Sequence, residues 1–133
     1  MKYMLDTNIC IYCIKKSPDN VFRHLQDCEI GEVVISAITY SELRYGVANS
    51  SDPERNGLAL AEFLSPLEIL DYTSDVANVY GSIRSLLKRR GKLIGPLDLL
   101  IAAHAVRLQL TLVTNNTREF SRISGLTIEN WTR

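Results

Sequence analysis

The run Gly95-Pro96-Leu97-Asp98-Leu99-Leu100-Ile101-Ala102-Ala103-His104-Ala105-Val106-Arg107-Leu108, followed by Thr111-Leu112-Val113-Thr114, decides the fold. Gly95-Pro96 opens a helix that is apolar on nearly every side, a pattern that predicts burial against a sheet rather than a place on the surface. The Thr- and Val-containing segment after it reads as a strand. A single acid, Asp98, interrupts the apolar run in its first turn, where an unpartnered charge is costly to bury.

Upstream, Val76, Val79, Tyr80, Ile83, Leu86 and Leu87 follow helical spacing, with Gly91 as the stop. Residues 67–72 read as a strand, and an amphipathic helix starts at Pro53 and ends near Ser65-Pro66. Before these, the β-branched residues 32–36 suit a buried strand, and Ile38, Tyr40, Leu43 and Val47 a helix. At the start, Tyr3-Met4-Leu5 reads as a strand ended by Asp6, Thr7 and Asn8, all good helix N-caps. A helix then runs through Tyr12 and Ile14, and a second from Pro18 carries Val21, Phe22 and Leu25. Downstream, residues 117–123 form a short helical turn and residues 126–128 a last strand. Strands alternating with helices predict an α/β fold in three layers: a mostly parallel central sheet of four to five strands with helices on both faces. At 133 residues the chain suits one domain, 1–133.

Fifteen basic and fifteen acidic side chains cancel, which argues against a polybasic nucleic-acid coat or a membrane-surface tether. The sum conceals an asymmetry. Residues 1–66 hold six Lys/Arg against nine Asp/Glu, and residues 67–133 hold nine against six. Between residues 76 and 97 there is no acid, while Arg84, Lys88, Arg89, Arg90 and Lys92 fall on or just beyond one helix. The opening MKYMLDTN reaches an acid at position 6, and no apolar run approaches the ~20 residues of a membrane span, so no secretory signal or anchor is expected. The three cysteines are an odd number in a chain large enough to need no disulfide, which predicts reduced thiols and a cytoplasmic location.

In an open parallel sheet, ligands bind beyond the carboxyl ends of the strands. Asp6 ends the first strand, Glu42 lies early in the helix after the second, and Asp98 opens the buried helix. Thr114, Asn115 and Asn116 close the fourth strand, with Glu119 one helical turn past Asn116. Taken singly these acids are ordinary caps and helix positions. Converged, they pose a problem, because two carboxylates ~4 Å apart repel by about 4 kcal/mol at an effective dielectric of 20. Such a cluster needs a cation or a shared proton. Oxygen donors without a His or Cys constellation favour magnesium or manganese over zinc, and the natural chemistry is metal-assisted phosphodiester hydrolysis.

Four motifs in order, M-L-D-T-N, S-x-I-T-Y-S-E-L, G-P-L-D-L-L-I-A-A-H-A and L-V-T-N-N-T-R-E-F, resemble the PIN-domain ribonucleases, and more closely the VapC-type toxins of VapBC toxin–antitoxin pairs. The resemblance runs over essentially the whole chain and implies a PIN-like fold. It places Asp6, Glu42 and Asp98 at the acidic metal-ligand positions, and Thr7 and Thr114 at hydroxyl positions that orient ligands or water. Asn116 stands where many PIN domains have Asp, and Glu119 matches an acid used in the enteric branch, so the number of bound ions stays open. The resemblance further implies a Mg2+-dependent endoribonuclease, with Mn2+ as a substitute, that cuts structured RNA such as a tRNA to arrest translation. It also implies inhibition by a VapB-type antitoxin that inserts a basic side chain among the acids. A homodimer within a hetero-oligomer, with operator DNA engaged only through the antitoxin and no membrane contact, completes that picture.

The basic run Arg84, Lys88, Arg89, Arg90 and Lys92 then has a purpose, lining the approach to the acids and contacting RNA phosphates. Two other readings compete. One is a PIN-like RNA-processing nuclease with no antitoxin. The other takes Cys10-Ile11-Tyr12-Cys13 as a redox C-x-x-C, against which the interleaved Ile9, Ile11 and Ile14 argue for buried thiols. His104 lies six residues after Asp98, roughly 240° around the helix, and should not face the acids. His24 reads as structural, and Trp131 as a core or interface anchor.

Overall fold

A computed structural model describes residues 1–133. The chain alternates between strand and helix: β1 Tyr3–Leu5, α1 Thr7–Lys15, α2 Asp19–Asp27, β2 Val33–Ser36, α3 Ala37–Ala48, α4 Pro53–Leu64, β3 Glu68–Leu70, α5 Ser74–Arg89, α6 Pro96–Leu108, β4 Thr111–Val113, α7 Thr117–Phe120 and β5 Ile128–Glu129. The five strands form one sheet in the order β3-β2-β1-β4-β5, and every neighbouring pair is parallel. The sheet is therefore wholly parallel rather than mostly so. Tyr3 pairs with Val33 on one side and Thr111 on the other, which makes β1 the centre.

The period-2 alternation of the strands divides the interior into two cores. Met4, Val34 and Leu112 belong to a core shared with Leu99, Ala102 and Ala105 of α6, Leu87 of α5 and Phe120 of α7. Leu5, Val33, Ile35 and Val113 belong to the other, with Ile9, Cys10 and Cys13 of α1, Val21 of α2, Leu43 of α3 and Leu60 of α4. Met4, Leu5, Val34, Ile35, Leu112 and Val113 are all fully buried. Two-sided burial of this kind explains why the strands read as continuous apolar runs instead of alternating ones.

The all-round apolar character of α6 has the same cause. Leu99, Ile101, Ala102, Ala103, His104 and Ala105 are buried, because α6 lies between the sheet and α5. Arg107 of α6 closes its polar side by an ion pair with Asp75 of α5 at 2.9 Å. By contrast β3 is the edge strand, its Glu68 and Ile69 both exposed, and it stops at Leu70 rather than continuing to residue 72.

Local chemistry sets the helix starts. Asp6 caps α1 by accepting from the Ile9 amide at 2.9 Å, Ser36 caps α3 through the Ile38 amide at 3.1 Å, and Asp52 caps α4 through the Arg55 amide at 3.2 Å. Cys10 and Cys13 lie in the α1 core, and burial raises the Cys10 thiol and pushes the Cys13 thiol up to about 12. That is the reverse of a reactive dithiol. No helix is long and apolar enough to cross a membrane.

Trp131 is a core anchor. It meets Tyr3 edge-on at 5.3 Å, stacks on His24 at 5.2 Å, and its Nε1 donates to Glu129 at 2.9 Å. Replacing it with Ala should cost about 3–5 kcal/mol in urea unfolding, the usual loss for a buried aromatic. A loss under about 1 kcal/mol would show that the tail packs for no structural purpose.

Candidate active site

Strand order reverses direction at β1: the chain steps from β1 to β2 and β3, then crosses back to β4 on the other side. The crevice at the carboxyl ends of β1 and β4 is thus the expected binding place in such a sheet. Asp6 follows β1 and Thr114 follows β4. Their backbones are locked there, the Asp6 amide donating to the Val113 carbonyl and the Thr114 amide to the Glu129 carbonyl, each at 3.0 Å.

Side chains from other elements join them. Thr7 Oγ1 donates to Glu42 Oε1 at 2.6 Å, tying the first turn of α1 to α3. The Asn116 amide donates to Thr114 Oγ1 at 2.9 Å, and Asn116 Nδ2 donates to Glu119 Oε2 at 3.0 Å. Neighbouring Asn115 donates to the Tyr12 hydroxyl at 3.0 Å and pins the same loop to α1. Asp98 sits half-buried in the first turn of α6. A Cβ built on Gly95, the residue capping that helix, would lie 3.6 Å from Asp98 Oδ2, an ordinary contact distance, so the carboxylate lies beside the helix cap.

The electrostatics identify one cluster. Asp6 is 4% exposed, and its pKa rises from the ordinary 3.8 to about 6. Burial is the main cause, and the charges of Asp98 and Glu42 add to it. The Thr114 hydroxyl and the Ile9 amide oppose the rise by hydrogen bonding the charged form. Asp98 is raised too, by burial first and then by Glu42 and Glu119. The four acids named from the sequence therefore feel one another across the crevice. No lysine or arginine neutralises them, since the molecule's ion pairs are Arg23 with Asp19 and Arg107 with Asp75. Nor do any three of these side chains stand close enough to form a ready-made metal cage. Beside the acids a cleft opens between Thr7, Glu42 and Ser41 on its polar side and Ile38, Tyr45 and Leu97 on its apolar side.

One positioning link escaped the sequence. His104 Nδ1 and Ser36 Oγ lie 2.8 Å apart, both buried, so the helix carrying Asp98 is fastened to the cap of the helix carrying Glu42. Tyr72 meets the His104 ring edge-on at 5.6 Å. Burial lowers the His104 pKa, favouring the neutral imidazole, and the charge of Asp75 opposes this. The only sequence hint was an N-cap residue type at the end of a strand.

Of the basic run, Arg84 donates to the Tyr80 hydroxyl at 2.8 Å and lies over that ring, along its own helix. Lys88 and Arg89 occupy the exposed last turn of α5, Arg90 caps it, and Lys92 lies in the following loop.

An acid whose folded pKa exceeds its unfolded value binds more protons when folded, so stability falls as pH rises through that interval. For Asp6 the interval runs from 3.8 to about 6. In magnesium-free buffer at neutral pH, Asp6→Asn should therefore raise stability by about 2–3 kcal/mol. Urea unfolding near about pH 4 should show that gain almost gone. Equal differences at both pH values would contradict the raised Asp6 pKa.

The PIN domain family matches residues 3–126. Over 132 residues the chain is 47% identical to Ribonuclease VapC2 of Rickettsia felis, covering 98% of each. It is 46% identical over 131 residues to the tRNA(fMet)-specific endonuclease VapC of Shigella flexneri, again covering 98% of each. Among solved structures, DNA-bound VapBC from Salmonella typhimurium superposes with a TM-score of 0.92 at 46% identity, covering 98% of both chains. With the acids of its four motifs gathered on one edge of a PIN-like sheet, the chain belongs to the PIN-domain family and, within it, to the VapC ribonucleases of VapBC toxin–antitoxin systems.

Proposed function

We propose that the chain is a magnesium-dependent endoribonuclease that cuts a tRNA and so arrests translation, restrained by a VapB-type antitoxin. One observation carries this reading: Asp6, Glu42, Asp98 and Glu119, remote in sequence, gather at one crevice with no cationic partner, and their crowding and burial raise the pKa of Asp6 and Asp98. The donor set is all oxygen, which suits Mg2+, with Mn2+ as a substitute. Mg2+ tolerates the absence of a preformed cage, because it keeps several waters and shares its coordination with substrate phosphate. When bound, such an ion supplies Lewis-acid stabilisation of phosphodiester charge and eases formation of a nucleophile from water.

The protein's own groups do the positioning. The Ile9 amide and Thr114 hydroxyl hold Asp6 toward its charged form, Thr7 aims Glu42, and Asn116 aims Glu119. In this reading Asp6, Asp98 and Glu42 hold the ion and Glu119 completes the site. The choice of tRNA follows the Shigella flexneri relative, whose name specifies tRNA(fMet). The antitoxin follows the VapBC complexes among the structural neighbours. An apolar groove lined by Ile11, Ile14, Leu43, Val47 and Leu60, reaching Glu42, has the chemistry to receive an amphipathic segment of such a partner. The exposed apolar side chains of Tyr45, Leu58 and Leu97 leave surface for a second copy, in line with a homodimer.

Induced expression in a bacterium, followed by mapping of all RNA ends, tests the reading. Wild type should arrest growth and create new ends within a tRNA, whereas Asp98→Asn should do neither. Identical growth and RNA ends in the two cultures would overturn it. With purified protein, Asp6→Ala and Asp98→Asn should each lower tRNA cleavage by at least about 10²-fold while remaining folded by circular dichroism. Removing Mg2+ with a chelator should abolish the wild-type activity, and full cleavage in its presence would refute the metal assignment.

A further inference from the structure

Between the loop that leads into α6 and the turn after α7 lies a second pocket, lined by Gly91, Lys92, Arg118, Ser121 and Arg122 and by no apolar residue. Arg122 is half-buried, and its Nη1 donates to the Leu93 carbonyl at 3.2 Å, which fixes the guanidinium against that loop. None of the three cations meets a carboxylate. Gly91 has a left-handed φ of 65°, and nothing would lie within 4 Å of a Cβ there, so its backbone is open to an approaching group.

Three like charges gathered without a counter-ion repel one another, and the arrangement becomes favourable when an anion is shared among them. Arginine in particular offers paired N–H donors that match phosphate geometry. The location narrows the choice of anion. Arg118 and Arg122 flank Glu119 in sequence, and Lys92 precedes Asp98 on the loop into α6. Glu119 and Asp98 in turn feel each other's charge. The short segments that carry the pocket's cations therefore also carry two acids of the crevice, Glu119 and Asp98.

Beyond the phosphate that a metal in the crevice would engage, an RNA strand gains affinity from cations that neutralise its flanking phosphates. We propose that Lys92, Arg118 and Arg122 form a phosphate-binding subsite that seats a backbone phosphate of the RNA next to the one being cut, an inference that rests on the nuclease reading of the crevice. Interactions of this kind fix the register of a strand without reading its bases. Arg84, already bonded to Tyr80, lies outside the pocket, and of the acid-free basic stretch only Gly91 and Lys92 enter it.

The test measures binding of bulk tRNA by the full chain carrying Asp98→Asn, so that the RNA stays intact, across a salt series. Adding Arg118→Ala and Arg122→Ala should weaken binding by about 10-fold or more, and should flatten the slope of log Kd against log salt by about 0.7–0.9 for each phosphate no longer neutralised. Lys92→Ala, which breaks no internal hydrogen bond, should act in the same direction and separates the effect from any disturbance at Leu93. Arg23→Ala, on α2 and paired with Asp19, should change neither quantity. Affinity and slope unchanged in both Lys92→Ala and Arg118→Ala would overturn the subsite, as would inorganic phosphate competing as strongly as tRNA. If the Asp98→Asn parent itself fails to bind tRNA and wild type fails to cut it, the nuclease reading falls and takes the subsite with it. A parent that binds normally beside unaffected variants removes the subsite alone.

Discussion

Asp6 is nearly sealed from water at the carboxyl end of the central strand, where it shares a crevice with Glu42, Asp98 and Glu119 and has no cationic partner. Burial and mutual repulsion both disfavour its charged form, and two hydrogen bonds restore only part of the loss. A fold that keeps such an arrangement carries a standing penalty. In the proposed reading that penalty is the driving force for capturing a divalent cation and, with it, a phosphodiester. The crevice is held together by the packing and pairing around it.

That hold comes from the sheet. β1 is paired on both sides, and its side chains alternate between two separate cores, so Asp6 cannot shift without disturbing Met4 and Leu5. α6 lies within one of those cores and presents Asp98 from its first turn, while the His104–Ser36 contact fastens it to the helix that carries Glu42. The acids are thus positioned by elements whose own packing has nothing to do with chemistry. Glu119 differs, since it sits on the four-residue α7 and depends on Asn116 and the buried Phe120 for its place.

Much of this was legible in the residues. The continuous apolar runs of β1, β2 and β4 reflect burial on both faces, and the all-round apolar α6 reflects its place between sheet and helix, so the central layer could be read directly. The edges were harder: β3 pairs with β2 alone and ends at Leu70, although apolar residues up to Tyr72 suggested a longer strand. Motif order pointed to Asp6 and Asp98, which lie where a strand ends and a buried helix begins, and to Glu42 in the second turn of α3. The His104–Ser36 link, spanning 68 residues, leaves no local trace. Nor do Arg118 and Arg122, which have little charge density around them and acquire meaning only when α7 folds beside the loop holding Lys92. The zero net charge belongs to the same lesson, since clustered acids and clustered cations cancel in the sum while remaining apart in space.

The central claim is that carboxylate repulsion in the crevice is relieved by a divalent cation. Its most direct test is a titration of the Asp6 side-chain carboxyl carbon by NMR, with and without Mg2+. The account predicts a midpoint near the raised value of about 6 in the metal-free protein and a fall of more than about one unit when Mg2+ is added. A midpoint that Mg2+ leaves unmoved would contradict it.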